Sequence, residues 1–391
     1  MSRTLYKEKM EQALNYLVTE DVDAWVIFSS EGSDPAVNLL TGLKTVGNTF
    51  FVLTKAGKTY AIASIIDAQE SKDSGLFHEV ISYKDNPGEV LNTLLKNINP
   101  STIALNYSET DHLCDGLTRG KYLWLCHHLE ERFVQKFMSS EKLLKKIRSI
   151  KTSEELERIR RAIEITIEIY DQVFDKLKVG MTEIEVGDLF VNEMKKRQVV
   201  NGLTRKLTPP MILKERIAHR EPSDAVIEKG DYLIIDFSLD YKGYVSDIAR
   251  TAYFLKDNET EAPQTMQERF KTVYEAISLV KETIRPGMQG FELDELARKH
   301  LLSKGMPEIT HATGHQVGRL THDGGALLGP RWSRYGDSPY ERIADNMVFT
   351  IEPTILFGNG DYSILTEEII VVKEEGGDFL SKRQEEIVLI K

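Results

Sequence analysis

Four carboxylates in the second half of this 391-residue chain stand where acids are expensive. Asp236 follows Tyr-Leu-Ile-Ile, Asp247 follows Gly243-Tyr-Val-Ser, Glu352 ends Met-Val-Phe-Thr-Ile-Glu, and Glu367 precedes Glu368-Ile-Ile-Val-Val. An acid at an inward-facing strand position must be paired, protonated or bound to a cation, because an isolated buried charge is too costly. One such acid is most often a satisfied structural group. Four of them, accompanied by His219, His311, His315 and His322, point instead to a metal site. Their four negative charges neutralise two divalent cations, and His315 adds a neutral nitrogen. An oxygen-rich set with one imidazole suits Mn²⁺, Co²⁺, Fe²⁺ or Zn²⁺ and disfavours copper and thiophilic metals. Two cations about 3.5–4 Å apart can share a bridging hydroxide, polarise a carbonyl and stabilise a tetrahedral intermediate. That is the chemistry of amide or ester hydrolysis without a covalent intermediate.

These acids need strands to carry them, and the pattern after residue 200 supplies strands. Tyr232–Phe237, Tyr244–Phe254, Met347–Ile355 and Ser363–Val372 read as strands, with helices at about 264–284 and 291–303 between them. Upstream, Leu156, Ile159, Ile163, Ile167, Tyr170, Phe174 and Leu177 form one helical stripe from Ser153, closed by Val179-Gly180. Thr182-x-x-Glu185 is a capping box opening a further helix to about Lys196. The first 140 residues alternate periods as an α/β domain. Residues 4–18 are helical, Ala24–Phe28 is a buried strand, and Thr49–Thr54 with Tyr60–Ser64 form a hairpin around Lys55–Lys58. Helical and strand-like runs recur at 88–97, 102–106 and 116–129. The Lys-, Ser- and Glu-rich stretch 135–152 is the expected boundary, giving domains 1–140 and 141–391.

Composition limits the partners. With 50 Lys+Arg against 61 Asp+Glu the formal charge is −11, which disfavours nucleic acid, whose phosphates need a concentrated basic face. No stretch approaches the ~20 apolar residues of a membrane span. The charged, amphipathic start lacks the apolar core of a secretory signal. The two cysteines, Cys114 and Cys126, support neither a disulfide framework nor a Cys-rich zinc cage. The expectation is a soluble, cytoplasmic, two-domain protein.

The motif residues resemble those of a family. Asp236-Phe-Ser-Leu-Asp-Tyr-Lys-Gly-Tyr-Val-Ser-Asp247-Ile-Ala-Arg-Thr is similar to the first metal motif of the pita-bread metallopeptidases, which include Xaa-Pro aminopeptidases, prolidases and methionine aminopeptidases. His311-Ala-Thr-Gly-His315-Gln-Val-Gly-Arg-Leu-Thr-His322-Asp resembles their His motif, whose second His is the ligand. Glu352 and Glu367 fall at the last two ligand positions, and His219 lies where Xaa-Pro enzymes keep an active-site His. The likeness continues through Arg148-Ser-Ile-Lys151-x-x-Glu-Glu and into Asp23-Ala-Trp-Val and Leu39-Leu-Thr-Gly-Leu, which look like the creatinase/prolidase N-terminal domain.

The resemblance implies a mixed-sheet α/β N-terminal domain and an α+β pita-bread catalytic domain. It implies a dinuclear metallo-aminopeptidase or dipeptidase that cleaves between an N-terminal residue and proline, using hydroxide held by two divalent ions. Mn²⁺ stands first, with Co²⁺, Zn²⁺ and Fe²⁺ as alternatives. Asp236 would bind one metal in bidentate fashion, Asp247 and Glu367 would bridge both, and His315 and Glu352 would complete the other shell. Glu352 would be the general base. His311 and His322 would bond the substrate carbonyl and oxyanion and carry a proton to the leaving nitrogen, while His219 lines the pocket beyond the scissile bond. A peptide with proline in second position is the expected partner, and relatives are commonly homodimers.

Two departures stand out. Leu365 occupies the place of an Arg that Xaa-Pro aminopeptidases usually carry two residues before the last ligand, and Ser238 stands where Gly is common. The long loop after His322 carries Arg331, Trp332, Arg334 and Tyr335, which could close over the site or simply pack on the surface. A creatinase-like C–N hydrolase without metal, and a non-catalytic binding protein on the same fold, are the alternatives. A zincin-type helical pair at His311 and His315 is disfavoured, since the required Glu is absent and Gly314 weakens a helix. His112, Cys114, Cys126, His127 and His128 fit no metal cage. Asp240 and Glu368 face away from the ligands by alternation, Arg250 supports the site by ion pairing, and Gly358-Asn-Gly360 is a turn.

Overall fold

The computed structural model describes residues 3–214, 220–357 and 361–391. The chain forms two compact units, Met1–Arg148 and Ser149–Lys391.

The first unit is built on six strands, β1 (Ala24–Ser29), β2 (Thr49–Thr54), β3 (Thr59–Ser64), β4 (Glu79–Tyr83), β5 (Ile103–Leu105) and β6 (Phe137–Ser139). Their order is β4-β3-β2-β1-β5-β6. β1 pairs antiparallel with β2 and parallel with β5, so the sheet is mixed, as the alternating periods predict. Every residue of β1 and β2 is buried, because helices α1 (Arg3–Thr19) and α2 (Pro87–Ile98) belong to clusters that cover the sheet. Trp25 Nε1 donates to Asn106 Oδ1 at 2.7 Å, and Asn106 Nδ2 donates to Asp34 Oδ2 at 2.8 Å. These bonds satisfy the polar groups buried beside the core. Helix α3 (Glu141–Ser149) closes the unit.

In the second unit, β7 (Val200–Asn201), β8 (Met211–Lys214), β9 (Tyr232–Tyr241) and β10 (Tyr244–Phe254) share a sheet with β14 (Val388–Ile390). β11 (Val348–Ile351), β12 (Glu368–Lys373) and β13 (Gly376–Phe379) form a second sheet. Among the described residues four helices pack around them: α4 (Ser153–Phe174), α5 (Glu183–Arg197), α6 (Gln264–Thr283) and α7 (Gly290–Ser303). One apolar cluster joins Ile234, Ala249, Phe270, Ile277, Leu293, Phe349 and Ile370, so both sheets share a core with α6 and α7. Each fully buried Leu, Ile or Phe contributes about 1.5–3 kcal/mol of transfer free energy to it.

Helix α4 ends at Phe174, earlier than its apolar stripe predicts. Lys176 N donates to Val173 O at 2.9 Å and Leu177 N to Phe174 O at 3.2 Å. The last turn tightens to three-residue bonds and releases the chain, yet Leu177 remains buried. Among the described residues no helix is long and apolar enough to cross a membrane.

Candidate metal centre

The hairpin β9–β10 places two of the four acids. In its register Ala249 lies opposite Asp236, and Asp247 lies opposite Ser238. Tyr232 and Ile234 on β9, and Ala249 and Tyr253 on β10, face the shared core. The two-residue period therefore carries Asp236 and Asp247 onto that same face, as diagonal neighbours. On the opposite face Phe237 packs against Tyr170 and Phe190, with ring centroids 6.1 and 5.1 Å away. The buried Tyr170 hydroxyl reaches Ile235 O at 3.0 Å and Ile248 O at 2.7 Å, bracing both strands next to the acids.

Glu352 and Glu367 come from the second sheet. Ile351 pairs with Glu368 as the last rung of β11–β12, so Glu352 and Glu367 are the next residues on each strand. Both strands are shorter than their apolar runs predict, because Pro353 has no N–H to extend the ladder. Glu367 N donates to Ala249 O at 3.1 Å, which draws Glu367 against β10. Arg250 donates to Ala249 O and Glu367 O, both at 2.9 Å, and ion-pairs with Glu368 at 3.2 Å. Its charge thus goes to Glu368, which faces away from the acids, and its N–H groups hold the Glu367 main chain. Asp240, against the expectation that it faces away, lies four residues from Asp236 and so on the same face of β9, and it stays apart from the acids at the hairpin end by pairing with Arg205 at 2.6 Å. Leu365 is buried in the apolar core, and its carbonyl accepts from Thr251 Oγ1 at 2.7 Å.

His315 arrives on an extended segment rather than a helix. Its N–H donates to Thr350 Oγ1 at 3.1 Å, Thr350 N donates back to His315 O at 2.8 Å, and Glu352 N donates to Thr313 O at 2.8 Å. Gly314 makes this close approach possible: a Cβ there would lie 2.0 Å from Thr350 O. Beneath the segment, Asp294 of α7 accepts from Thr313 N at 3.1 Å and Thr313 Oγ1 at 2.9 Å. Asp294 pairs with Arg298 at 2.5 Å, and Arg298 donates to the carbonyls of Ile309 and His311. Sequence reasoning missed this pair. The available signal was an Asp and an Arg four residues apart on the helix face that also carries Leu293, Ala297 and Leu301.

At the centre, His315 Nε2 lies 3.3 Å from Glu352 Oε1 and 3.6 Å from Asp247 Oδ2. Asp247, His315 and Glu367 each offer a ligand atom, and these atoms lie within 4.8 Å of one another. Asp247 and Glu367 are buried, while Asp236, His315 and Glu352 keep partial exposure. Burial and the Glu352 charge raise the Asp236 carboxyl above its ordinary range. Burial and Asp236 raise Asp247, and burial with Asp247 and Glu352 raises Glu367. Burial would lift Glu352 as well, but the His315 hydrogen bond and the nearby His311 and His322 hold it low. Burial would lower His315, and Glu352 and Asp247 outweigh it, pushing the imidazole up to about 9. Among the described residues no Lys or Arg ion-pairs with Asp236, Asp247 or Glu367. Mutually repelling buried carboxylates beside one imidazole fit divalent cations, whose charge relieves the repulsion and whose preference is for oxygen and nitrogen donors.

The other sequence candidates fall around this cluster. The His322 ring lies tilted against that of His315, with centroids 4.4 Å apart and planes at 43°. The His311 ring contacts Ala312 O through Nδ1 at 2.7 Å. His219 and the turn at 358–360 lie outside the described residues. In the loop after His322, Arg331 pairs with Glu295 at 2.7 Å, while Trp332 is flanked by Arg298 and Arg334 at 5.0 and 4.6 Å.

Residues 157–374 match metallopeptidase family M24. The Xaa-Pro dipeptidase of Pyrococcus furiosus is 30% identical over 263 residues, which cover 66% of this chain and 70% of that protein. An uncharacterized peptidase of Bacillus subtilis is 29% identical over 248 residues, covering 63% of this chain and 66% of that protein. Among solved structures, the X-Pro aminopeptidase of Thermotoga maritima superposes with a TM-score of 0.73 at 24% identity, over 97% of this chain and 99% of that one. The Xaa-Pro dipeptidase of Bacillus anthracis reaches 0.76 at 23% identity, over 98% and 100%. Both units of the fold are therefore shared with prolidase-type structures.

Proposed function

The chain belongs to metallopeptidase family M24, and from that premise we propose that it hydrolyses the bond between an N-terminal residue and proline, as an Xaa-Pro aminopeptidase or dipeptidase. The observation that carries the reading is the meeting of four acids, Asp236, Asp247, Glu352 and Glu367, with His315, the five residues arriving on five chain segments. The relative named as an Xaa-Pro dipeptidase supports the proline preference. In this reading the five residues hold two divalent cations, Mn²⁺ foremost. When bound, such ions polarise the scissile carbonyl and lower the pKa of the attacking water.

The protein residues do the rest. Glu352 stands within hydrogen-bonding reach of His315 and beside His311 and His322, in the environment that keeps its carboxylate ionised. It accepts the proton of the attacking water. His322 and His311 donate to the substrate carbonyl and to the oxyanion that develops from it. One of them returns a proton to the proline nitrogen, a tertiary amide nitrogen that departs only when protonated. Arg250 holds the Glu367 main chain, and Asp294 with Arg298 holds those of Thr313 and His311, in register for these tasks.

A peptide panel tests the reading. Xaa-Pro dipeptides, Xaa-Pro-Yaa peptides and non-proline controls are offered to protein loaded with Mn²⁺, Co²⁺ or Zn²⁺. Cleavage confined to Xaa-Pro bonds is expected, and equal turnover of non-proline peptides would remove the specificity. Failure of every peptide with fully loaded protein would favour a binding role on the same fold.

A further inference from the structure

We propose that two buried clamps, Ser238 with Thr321 and Lys151 with Asp323, are positioning residues that aim His322 at the metal centre. The proposal rests on the reading of His322 as a group that touches substrate.

The segment around His322 has no helix or strand to orient its side chains. His322 is exposed, yet its neighbours Thr321 and Asp323 are buried at 5% and 3% exposure. An in-out-in sequence without a ladder must take its orientation from what the two buried side chains grip.

Thr321 grips the metal-bearing hairpin. Ser238 Oγ donates to Ser246 O at 2.7 Å, so its own proton is committed. The Thr321 hydroxyl, 2.9 Å away, is left to donate to Ser238 Oγ. Ser238 sits two residues after Asp236, and Ser246 immediately precedes Asp247. The bond therefore ties the residue before His322 to the strands that carry two of the acids. Gly202 leaves the room for it, since a Cβ there would lie 2.2 Å from Ser238 Oγ. Ser238, which departs from the Gly common in similar sequences, thus has a defined partner and a defined space.

Asp323 grips the chain on the other side. Lys151 Nζ lies 3.1 Å from Asp323 Oδ2, with both side chains almost wholly buried. Asp323 Oδ1 accepts from Leu320 N at 3.3 Å, and its own N–H donates to Gln316 O at 2.9 Å. A Cβ at Gly318 would lie 2.2 Å from Asp323 Oδ2, so this glycine also makes room. Buried ion pairs add little net stability because desolvation offsets their attraction, and the role assigned to this one is to fix where Asp323 sits. Between the two grips the His322 ring is set 4.4 Å from His315.

The test is a cycle on Thr321 and His322 in the metal-loaded, full-length protein. Thr321→Val removes the hydroxyl and keeps the shape. It is expected to lower kcat on an Xaa-Pro peptide about tenfold, the scale of a small misplacement of a reacting group. KM, metal content and melting temperature should change little, and Thr321→Ser should restore most of the rate. In a His322→Ala background, Thr321→Val should have no further effect, and Ser238→Ala should behave as Thr321→Val does. A second readout is independent of turnover: carbethoxylation of His322 by diethyl pyrocarbonate, followed by peptide mass spectrometry, should speed up in Thr321→Val and in Asp323→Asn. An equal loss of kcat with and without His322 would overturn the proposal, as would loss of metal from Thr321→Val. If His322→Ala retains the wild-type kcat, the reading of His322 itself fails. The carbethoxylation rate then decides the clamps alone, and an unchanged rate in Thr321→Val overturns them.

Discussion

His315 Nε2 lies 3.3 Å from Glu352 Oε1, and this contact joins the two arms of the centre. Thr350, two residues before Glu352, exchanges hydrogen bonds with the His315 main chain, so the histidine and the acid are registered by backbone before their side chains meet. The acid is thereby kept ionised and the imidazole is aimed at Asp247.

Glu352→Gln is expected to preserve the fold and part of the metal while lowering kcat by about a hundredfold or more, because the proton acceptor is lost. Circular dichroism, elemental analysis and steady-state kinetics on one preparation check this. Near-normal turnover would remove Glu352 as the base.

The metal-free protein should lose stability as pH rises. Burial and mutual repulsion raise Asp236, Asp247 and Glu367, and His315 is pushed up to about 9, so the folded chain holds more protons than the unfolded one. The His315 contribution is full below about pH 6.5 and is lost as pH rises through about 9. Cations replace those protons, so loading with Mn²⁺ should release roughly one proton or more per chain near neutrality. Melting curves of chelated and Mn²⁺-loaded protein should diverge with rising pH; convergence would contradict the linkage.

Gly314→Ala should disturb the centre from the main chain outward. Its Cβ would lie 2.0 Å from Thr350 O, and backbone on both sides would have to give. Reduced metal content together with a lower melting temperature is expected. Unchanged metal stoichiometry and activity would show that the segment can move without consequence.

Glu183 predicts a separate dependence on acid. Buried on α5, it accepts from Lys214 N at 2.7 Å, from Arg220, and from Ser223 N and Oγ at 2.8 and 2.6 Å. Burial would raise its carboxyl, but the Arg220 hydrogen bond and these donors push it down to about 2. Its stabilisation is therefore present above about pH 4.5 and is lost as pH falls toward about 2. Glu183→Gln should cost about 2 kcal/mol at neutral pH and much less near pH 3, measured by urea unfolding. Equal losses at the two pH values would place the effect in packing rather than charge.

The amino-acid sequence alone determined which residue types meet and on which faces. The buried apolar run Tyr232–Ile235 that leads into Asp236 is a local property of extended backbone, and the capping box at Thr182 is local in the same way. The mixed first sheet is legible for the same reason, in runs such as Ala24–Phe28 that are buried on both faces. Pro353 marks in the sequence where β11 stops, whereas the pairing of β11 with β12 that brings Glu367 beside Glu352 is decided only by the fold. Which distant groups brace the centre is likewise hidden in the sequence. Lys151 finds Asp323 across 172 residues, and Ser238 finds Thr321 across 83. Periodicity reports how a segment meets its own neighbours, and it carries nothing about a hydroxyl or ammonium that arrives from elsewhere in the chain. Only the packed tertiary structure, with glycines at 202, 314 and 318 clearing the space, decides those partners.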